Sequence, residues 1–197
     1  MIKAVFFDVG GVLIRDDAVE ILKRQSRSLH VPYRELRDNM RVHRILLMKG
    51  AITRREYLRR LAQRFQLPPI RARVIRSLFP RFRYFRSNWI VAKQLRRNGY
   101  RVGVITNAVP PSPFSQRLRL SPYFRPIVRS WQVGSVKPER RIFEIARRRA
   151  SVKFNQMAFF DDRDRNVRAA KKLGIKAFVY KNPTQLVRSL RRLGVKV

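Results

Sequence analysis

Ala4-Val5-Phe6-Phe7-Asp8-Val9-Gly10-Gly11-Val12-Leu13 decides how the rest of the chain is read. Four apolar residues lead into an aspartate and two glycines break the run, the pattern of a strand buried on both faces that ends in a tight turn. A carboxylate at the carboxyl end of a buried parallel strand looks into the crevice where open α/β sheets bind ligands. An acid is costly there unless chemistry uses it, so other strands should bring matching groups to the same edge.

Two later runs do so. Tyr100 to Ile105 reads as a strand running into Thr106-Asn107, and Met157 to Phe160 as a strand entering Asp161-Asp162. Pro126 to Ser130 is a weaker strand candidate and Ile175 to Tyr180 the last one. Helices fall between them: Ser87 to Asn98, a short one near Ser115 to Leu120, Glu139 to Arg149 with Pro138 at its first position, and one ending at Gly174. Asn182-Pro183 caps a terminal helix whose Leu186, Val187, Leu190 and Leu193 face the sheet. This alternation predicts an α/β fold, a Rossmann-like parallel sheet with right-handed crossovers and flanking helices. Asp8, Thr106 and Asp161-Asp162 then share one edge, and Lys137 on a loop can join them.

Residues 16–79 break the alternation and read as helical throughout. Asp16 to Leu29 carries Val19, Leu22 and Leu29; Tyr33 to Met48 carries Leu36, Met40 and Leu47 and stops at Gly50. Thr53 and Glu56 form a T-x-x-E capping box, with Ile52 and Tyr57 placed as a hydrophobic staple. Tyr57, Leu58, Leu61 and Phe65 continue that face to Pro68-Pro69, and a shorter helix from Ile70 to Phe79 is closed by Pro80. The expected organisation is an α/β core of residues 1–15 and 80–197, with residues 16–79 inserted as a helical cap.

The chain has 197 residues, enough for one core with an inserted subdomain. It has no cysteine, which excludes disulfides and thiolate chemistry and fits a reducing compartment. No apolar run reaches membrane-spanning length and Asp8 interrupts the N-terminal run, so a cytoplasmic protein without membrane contact is expected. Lys and Arg number 47 against 12 Asp and Glu, and 36 of the basic residues are arginine, for a net charge of +35. Such a field attracts polyanions, and nucleic acid is one reading of it. The other is a solvated surface bias unrelated to the reaction, because the arginines are scattered and form no block. Scarce acids are the more informative residues, and Asp8, Asp161, Asp162 and Asp164 stand in two short stretches.

As chemistry, the converging set is a strand-end carboxylate, a hydroxyl, an ammonium and a carboxylate pair. Carboxylates without cysteine or clustered histidine favour a hard, oxygen-ligated ion such as Mg²⁺. A lysine and a threonine hydroxyl beside it suit phosphoryl oxygens, and the remaining carboxylate can be a nucleophile. Simple capping of strand ends and helix starts would not select this order.

The order and context of these residues resemble the haloacid dehalogenase-like (HAD) superfamily over nearly the whole chain. Phe7-Asp8-Val9-Gly10-Gly11-Val12-Leu13 looks like its first motif, Val104-Ile105-Thr106-Asn107 its second, Val136-Lys137-Pro138 its third, and Phe160-Asp161-Asp162-Arg163-Asp164-Arg165-Asn166 its fourth. Gln132 to Glu139 is similar to the corresponding run in the phosphatase domain of soluble epoxide hydrolase and in bacterial glucose-1-phosphatase-like members. The resemblance implies that Asp8 is the nucleophile, forming an aspartyl-phosphate, and that Thr106, Asn107 and Lys137 hold the substrate phosphate. It implies Mg²⁺ on Asp8, Asp162 and the Gly10 carbonyl, with Asp161 and Asn166 in support. The expected activity is a Mg²⁺-dependent phosphatase of small phosphorylated metabolites. Gly10 stands where most family phosphatases carry a second, acid/base aspartate, which implies slow turnover. The alternative is a weak or inactive scaffold of this family that binds nucleic acid through its basic surface.

Three further features carry two readings each. His43, on the Met40/Leu47 stripe, is either a substrate contact or an ordinary packed histidine, and His30 beside Val31-Pro32 reads as a loop residue. Arg81-Phe82-Arg83-Tyr84-Phe85-Arg86 interleaves cations with aromatics, as single-strand stacking surfaces do, or is a hinge that buries the rings and exposes the arginines.

Overall fold

The computed structural model describes residues 1–15, 18–67, 83–110 and 123–197. The helices expected at Ile70 to Phe79 and Ser115 to Leu120 lie outside the described residues, as do Asp16, Pro68-Pro69, Pro80 and the Arg81-Phe82 half of the aromatic stretch.

The expected strands form. β1 (Ala4–Phe7), β2 (Arg101–Thr106), β3 (Ile127–Arg129), β4 (Met157–Asp161) and β5 (Lys176–Val179) make one parallel sheet in the order β3-β2-β1-β4-β5. The helices are α1 (Ala18–Leu29), α2 (Tyr33–Met48), α3 (Arg54–Arg64), α4 (Arg86–Arg97), α5 (Ser130–Val133), α6 (Arg140–Arg149), α7 (Asp164–Lys172) and α8 (Pro183–Arg192).

β1 lies at the centre because both its faces are apolar. Val5 and Phe7 pack with Val104 and Phe160 against Val91 and Leu95 of α4 and Leu186 and Leu190 of α8. Ala4 and Phe6 point the other way and pack with Ile105 and Phe159 against Ile142 and Phe143 of α6 and Val167 of α7. Each phenylalanine so buried contributes about 1.5–3 kcal/mol, which fixes the register of the central strand. Phe6 sits opposite Gly103 on β2, where an added Cβ would lie 2.5 Å from its ring, so a glycine is what admits the aromatic.

The connections depart from expectation in four places. Pro138 does not open α6: Glu139 N–H bonds the Val136 carbonyl at 2.8 Å, and that turn separates the proline from a helix beginning at Arg140. Ser130 leaves the sheet to start α5. Thr53 Oγ accepts the Glu56 N–H at 3.1 Å, but the Glu56 carboxylate bonds Arg59 and Arg60, since guanidinium donors on an arginine-dense helix outcompete a neutral N–H. Val19 is 59% exposed and takes no part in the stripe that buries Leu29.

The three inserted helices bury their apolar faces on one another. Leu29, Val31 and Leu36 form one cluster with Leu22 and Phe65 at its edge, and Leu47, Tyr57 and Leu61 form a second. An ion pair of 2.6 Å between Lys49 and Glu139 ties the end of α2 to the turn before α6. His43 is half-buried, its Nδ1 lying 3.2 Å from the Asn39 carbonyl, whereas exposed His30 takes the positive φ that ends α1. Tyr84 and Phe85 set their rings against Trp89 and Tyr180, and the flanking Arg83 and Arg86 are exposed.

Candidate active site

The parallel sheet delivers three polar residues to one edge: Asp8 follows β1, Thr106 ends β2 and Asp161 ends β4. Chain order reverses between β1 and β4, so this edge is the place where an open α/β sheet takes its ligand. The loop after β1 is a tight coil in which Leu13 and Ile14 N–H both bond the Val9 carbonyl at 2.9 Å. Helix α4 braces it from below, with Asn88 donating to the Val12 carbonyl and Trp89 Nε1 to that of Leu13 at 3.0 Å. Gly11 turns the coil at φ +76°, and an added Cβ there would meet Asp162 Oδ2 at 2.6 Å. The second glycine therefore brings the first loop against the fourth.

Lys137 is the hub. Its ammonium is 2% exposed as a residue and donates to Asp8 Oδ1 at 2.9 Å, Asp161 Oδ2 at 2.7 Å and the Ile105 carbonyl at 2.8 Å, so all three of its N–H bonds have acceptors. Asn107 holds the lysine's backbone from both sides, accepting its N–H at 2.7 Å and donating to its carbonyl at 2.9 Å. Asp161 is fully buried and fully engaged, by Lys137, by the Arg163 N–H at 2.9 Å and by Asn166 Nδ2 on both oxygens. Glu139 steadies the same turn by accepting from Ser135 Oγ at 2.9 Å and pairing with Lys49.

Asp8 is held at one end only. Val9 N–H and Lys137 both reach Oδ1, at 2.6 and 2.9 Å, while Oδ2 makes no hydrogen bond among the described residues. Burial pushes its pKa from 3.8 to about 7; the Lys137 charge and hydrogen bond pull it down, and the Asp161 charge pushes it up. Oxygens of Asp8, Asp161 and Asp162 lie within 4.8 Å of one another, an all-oxygen set that fits a hard divalent cation. Asp161 is already fully engaged by its own neighbours, whereas Oδ2 of Asp8 has capacity for an ion.

A model of the haloacid dehalogenase-like hydrolase family matches residues 2–174. The chain belongs to that family. Its α/β fold is shared with solved members. A HAD-like family hydrolase from Porphyromonas gingivalis superposes with a TM-score of 0.76 at 21% identity, covering 100% of both chains. A HAD family enzyme from Bacteroides thetaiotaomicron, in complex with magnesium and inorganic phosphate, gives 0.72 at 20% identity, covering 92% of this chain and 95% of the other. Among curated proteins, glyceraldehyde 3-phosphate phosphatase of Methanopyrus kandleri is 32% identical over 85 residues, 42% of this chain and 36% of that protein. The chain spans 19% and 36% of the lengths of the two curated relatives it matches.

The hydrolase brings Asp8, Gly10, Thr106, Asn107, Lys137, Asp161, Asp162 and Asn166 together at one cleft, but divides their work differently. Thr106 lines the cleft, and its hydroxyl makes no hydrogen bond among the described residues, which leaves it available to a ligand. Asn107, expected on the phosphate, instead clamps the Lys137 backbone. Lys137 reaches the cleft with its donors already satisfied by Asp8, Asp161 and Ile105. Sequence reasoning missed the opposite wall. The cleft holds about 460 Å³, and its far side is α2, with Asp38 and the arginines at positions 37, 41 and 44. Their spacing of four and three marks one helical face, a signal hidden in a chain with arginine on every helix. His43 does not line this cleft. No helix among the described residues is long and apolar enough to cross a membrane.

Proposed function

We propose that this hydrolase is a Mg²⁺-dependent phosphatase of small phosphorylated metabolites that acts through an aspartyl-phosphate on Asp8. The observation that carries the reading is the asymmetry of Asp8, anchored through Oδ1 by Lys137 and Val9 N–H and uncommitted at Oδ2, beside the Thr106 hydroxyl and Asp162. The named phosphatase relative and the magnesium and phosphate bound by a structural neighbour support it. Residues 1–15 and 80–197 serve as the core and residues 16–79 as a cap, a division supported by the separate apolar clusters of the inserted helices.

In this mechanism Oδ2 of Asp8 attacks phosphorus, an oxygen–phosphorus bond forms, and the bond to the leaving oxygen breaks. Asp8, Asp162 and the Gly10 carbonyl would hold Mg²⁺, which offsets the phosphoryl charge and permits an ionised Asp8. Thr106 donates its hydroxyl to a phosphoryl oxygen. Lys137 fixes the angle of the Asp8 carboxylate and, with Asp161 locked by Asn166, balances its charge. Water then attacks phosphorus, inorganic phosphate leaves and the Asp8 carboxylate is restored. The leaving oxygen takes its proton from water, because Gly10 has no side chain to supply one. That costs about 10²- to 10⁴-fold in rate and favours good leaving groups.

Phosphate release from a panel of phosphate monoesters, measured on nucleic-acid-free protein, tests this. Release should require Mg²⁺, stop on adding chelator and vanish in Asp8→Asn. Full activity in that variant, or none on any substrate with Mg²⁺ present, would end the proposal.

A further inference from the structure

The charge of the cleft exceeds what one phosphate requires. Lys137 is balanced by Asp8 and Asp161, and Arg37 by Asp38, through hydrogen bonds of 2.8 and 3.2 Å. Asp38 is held below its usual carboxylate range chiefly by that Arg37 contact, with Arg41 adding to the field. Arg41 and Arg44 line the same cleft as Asp8 and Thr106, and neither makes an ion pair or hydrogen bond among the described residues. One helical turn apart on α2, they present two guanidinium forks on one face, opposite the nucleophile. Arg165, on the core side, adds a further positive charge.

We infer that Arg41 and Arg44 form a second anion-binding subsite, so that the substrate carries, besides its scissile phosphate, a second anionic group at its far end, phosphate or carboxylate. The inference rests on the phosphatase reading and narrows it to doubly anionic small molecules. A cleft of about 460 Å³ has room for two such groups on a short carbon chain. Planar guanidinium forks match phosphate and carboxylate geometry better than a lysine point charge would. Arg41 and Arg44 are specificity residues here, holding the end of the substrate that does not react.

Calorimetric titration of the full chain with Mg²⁺ and non-hydrolysable ligands tests the subsite without turnover. Propylphosphonate supplies one anionic group; propane-1,3-bisphosphonate and 3-phosphonopropionate supply two, and comparing the latter pair distinguishes phosphate from carboxylate. Wild-type protein should bind at least one two-ended ligand about tenfold or more tighter than propylphosphonate. Arg41→Gln/Arg44→Gln should cut that preference to within about twofold. Arg191→Gln/Arg192→Gln on α8, which removes the same charge beside a separate groove, should keep it. Equal affinities in wild type, a preference that survives in the α2 variant, or an equal loss in both variants would overturn the inference. So would tighter binding of a 5′-phosphorylated single-stranded DNA that the α8 variant weakens as much as the α2 variant. Absent phosphate release with an intact preference would count against the phosphatase reading alone. Phosphate release without the preference would remove the subsite alone.

Discussion

Replacing Asp8 by asparagine should make the metal-free protein more stable at pH 8 while it abolishes activity. The folded chain holds the Asp8 proton more tightly than the unfolded chain, the pKa rising from 3.8 to about 7 chiefly through burial. Stability is therefore full below 3.8 and falls as pH climbs to about 7, the direction opposite to that of an ordinary paired carboxylate. The rise makes ionisation in the fold cost about 4 kcal/mol more than in the unfolded chain, a net figure in which Lys137 is already included. Asparagine keeps an Oδ1 acceptor for Lys137 and for Val9 N–H but carries no charge to desolvate.

The variant should then exceed wild type by about 2–4 kcal/mol at pH 8 and by about 1 kcal/mol at pH 4.5. For a chain of this size the larger difference raises Tm by roughly 5–15 °C. Thermal melts of both proteins in chelator, at the two pH values, read this directly. Adding Mg²⁺ at pH 8 should close the gap from the other side, because the ion stabilises wild type by mass action and finds no Asp8 carboxylate in the variant. A variant that melts at or below wild type at pH 8, or a gap that does not change with pH, would refute the reasoning that burial dominates at Asp8.

The same proton governs the metal. Apparent Mg²⁺ affinity should rise about tenfold per pH unit up to about 7 and flatten above it, by calorimetry on wild type, since binding must first displace the Asp8 proton. Gly11→Ala puts a Cβ within 2.6 Å of Asp162 Oδ2 at a φ of +76°. It should cost about 1–3 kcal/mol in a melt and weaken Mg²⁺ about tenfold or more, because the carboxylate must move. Asn107→Ala removes both bonds to the Lys137 backbone, of 2.7 and 2.9 Å. Loss of about 2 kcal/mol is expected, with kcat falling more than KM rises, because the lysine that aims Asp8 loses its support.

Much of this was legible in the sequence because apolar runs and glycines are local signals. Ala4 to Phe7, a short apolar run cut off by Asp8 and two glycines, reads as a two-faced buried strand, and a parallel sheet has one carboxyl edge, which is where Asp8, Thr106 and Asp161 meet. The division of labour was not legible, because it depends on distances between segments far apart in the chain. Asn107 and Lys137 are thirty residues apart in sequence, and nothing local says that the amide of one clamps the backbone of the other. Pro138 misled for a similar reason: proline is as comfortable in the turn closed by Glu139 as at the first position of a helix. The arginine face of α2 was invisible for a statistical reason. Among 36 arginines a stripe of three does not stand out until the fold places it across a cleft from Asp8.

The lysine at the centre also explains how so basic a chain keeps its acids working. With a net charge of +35, a carboxylate on the surface would be drawn into pairs with arginine, as Glu56, Asp38 and Glu144 are. Such a pair holds the acid ionised and occupies the oxygens a metal or a phosphorus would need. Burying Asp8 behind β1 and giving it one lysine, itself fixed by Asp161 and the Ile105 carbonyl, limits the attraction to a single oxygen. The cost is a carboxylate that prefers its proton near neutral pH; the return is an Oδ2 that no arginine claims. On the proposed reading a bound Mg²⁺ would displace that proton, and the feature that destabilises the empty protein would tie nucleophilicity to the loaded site.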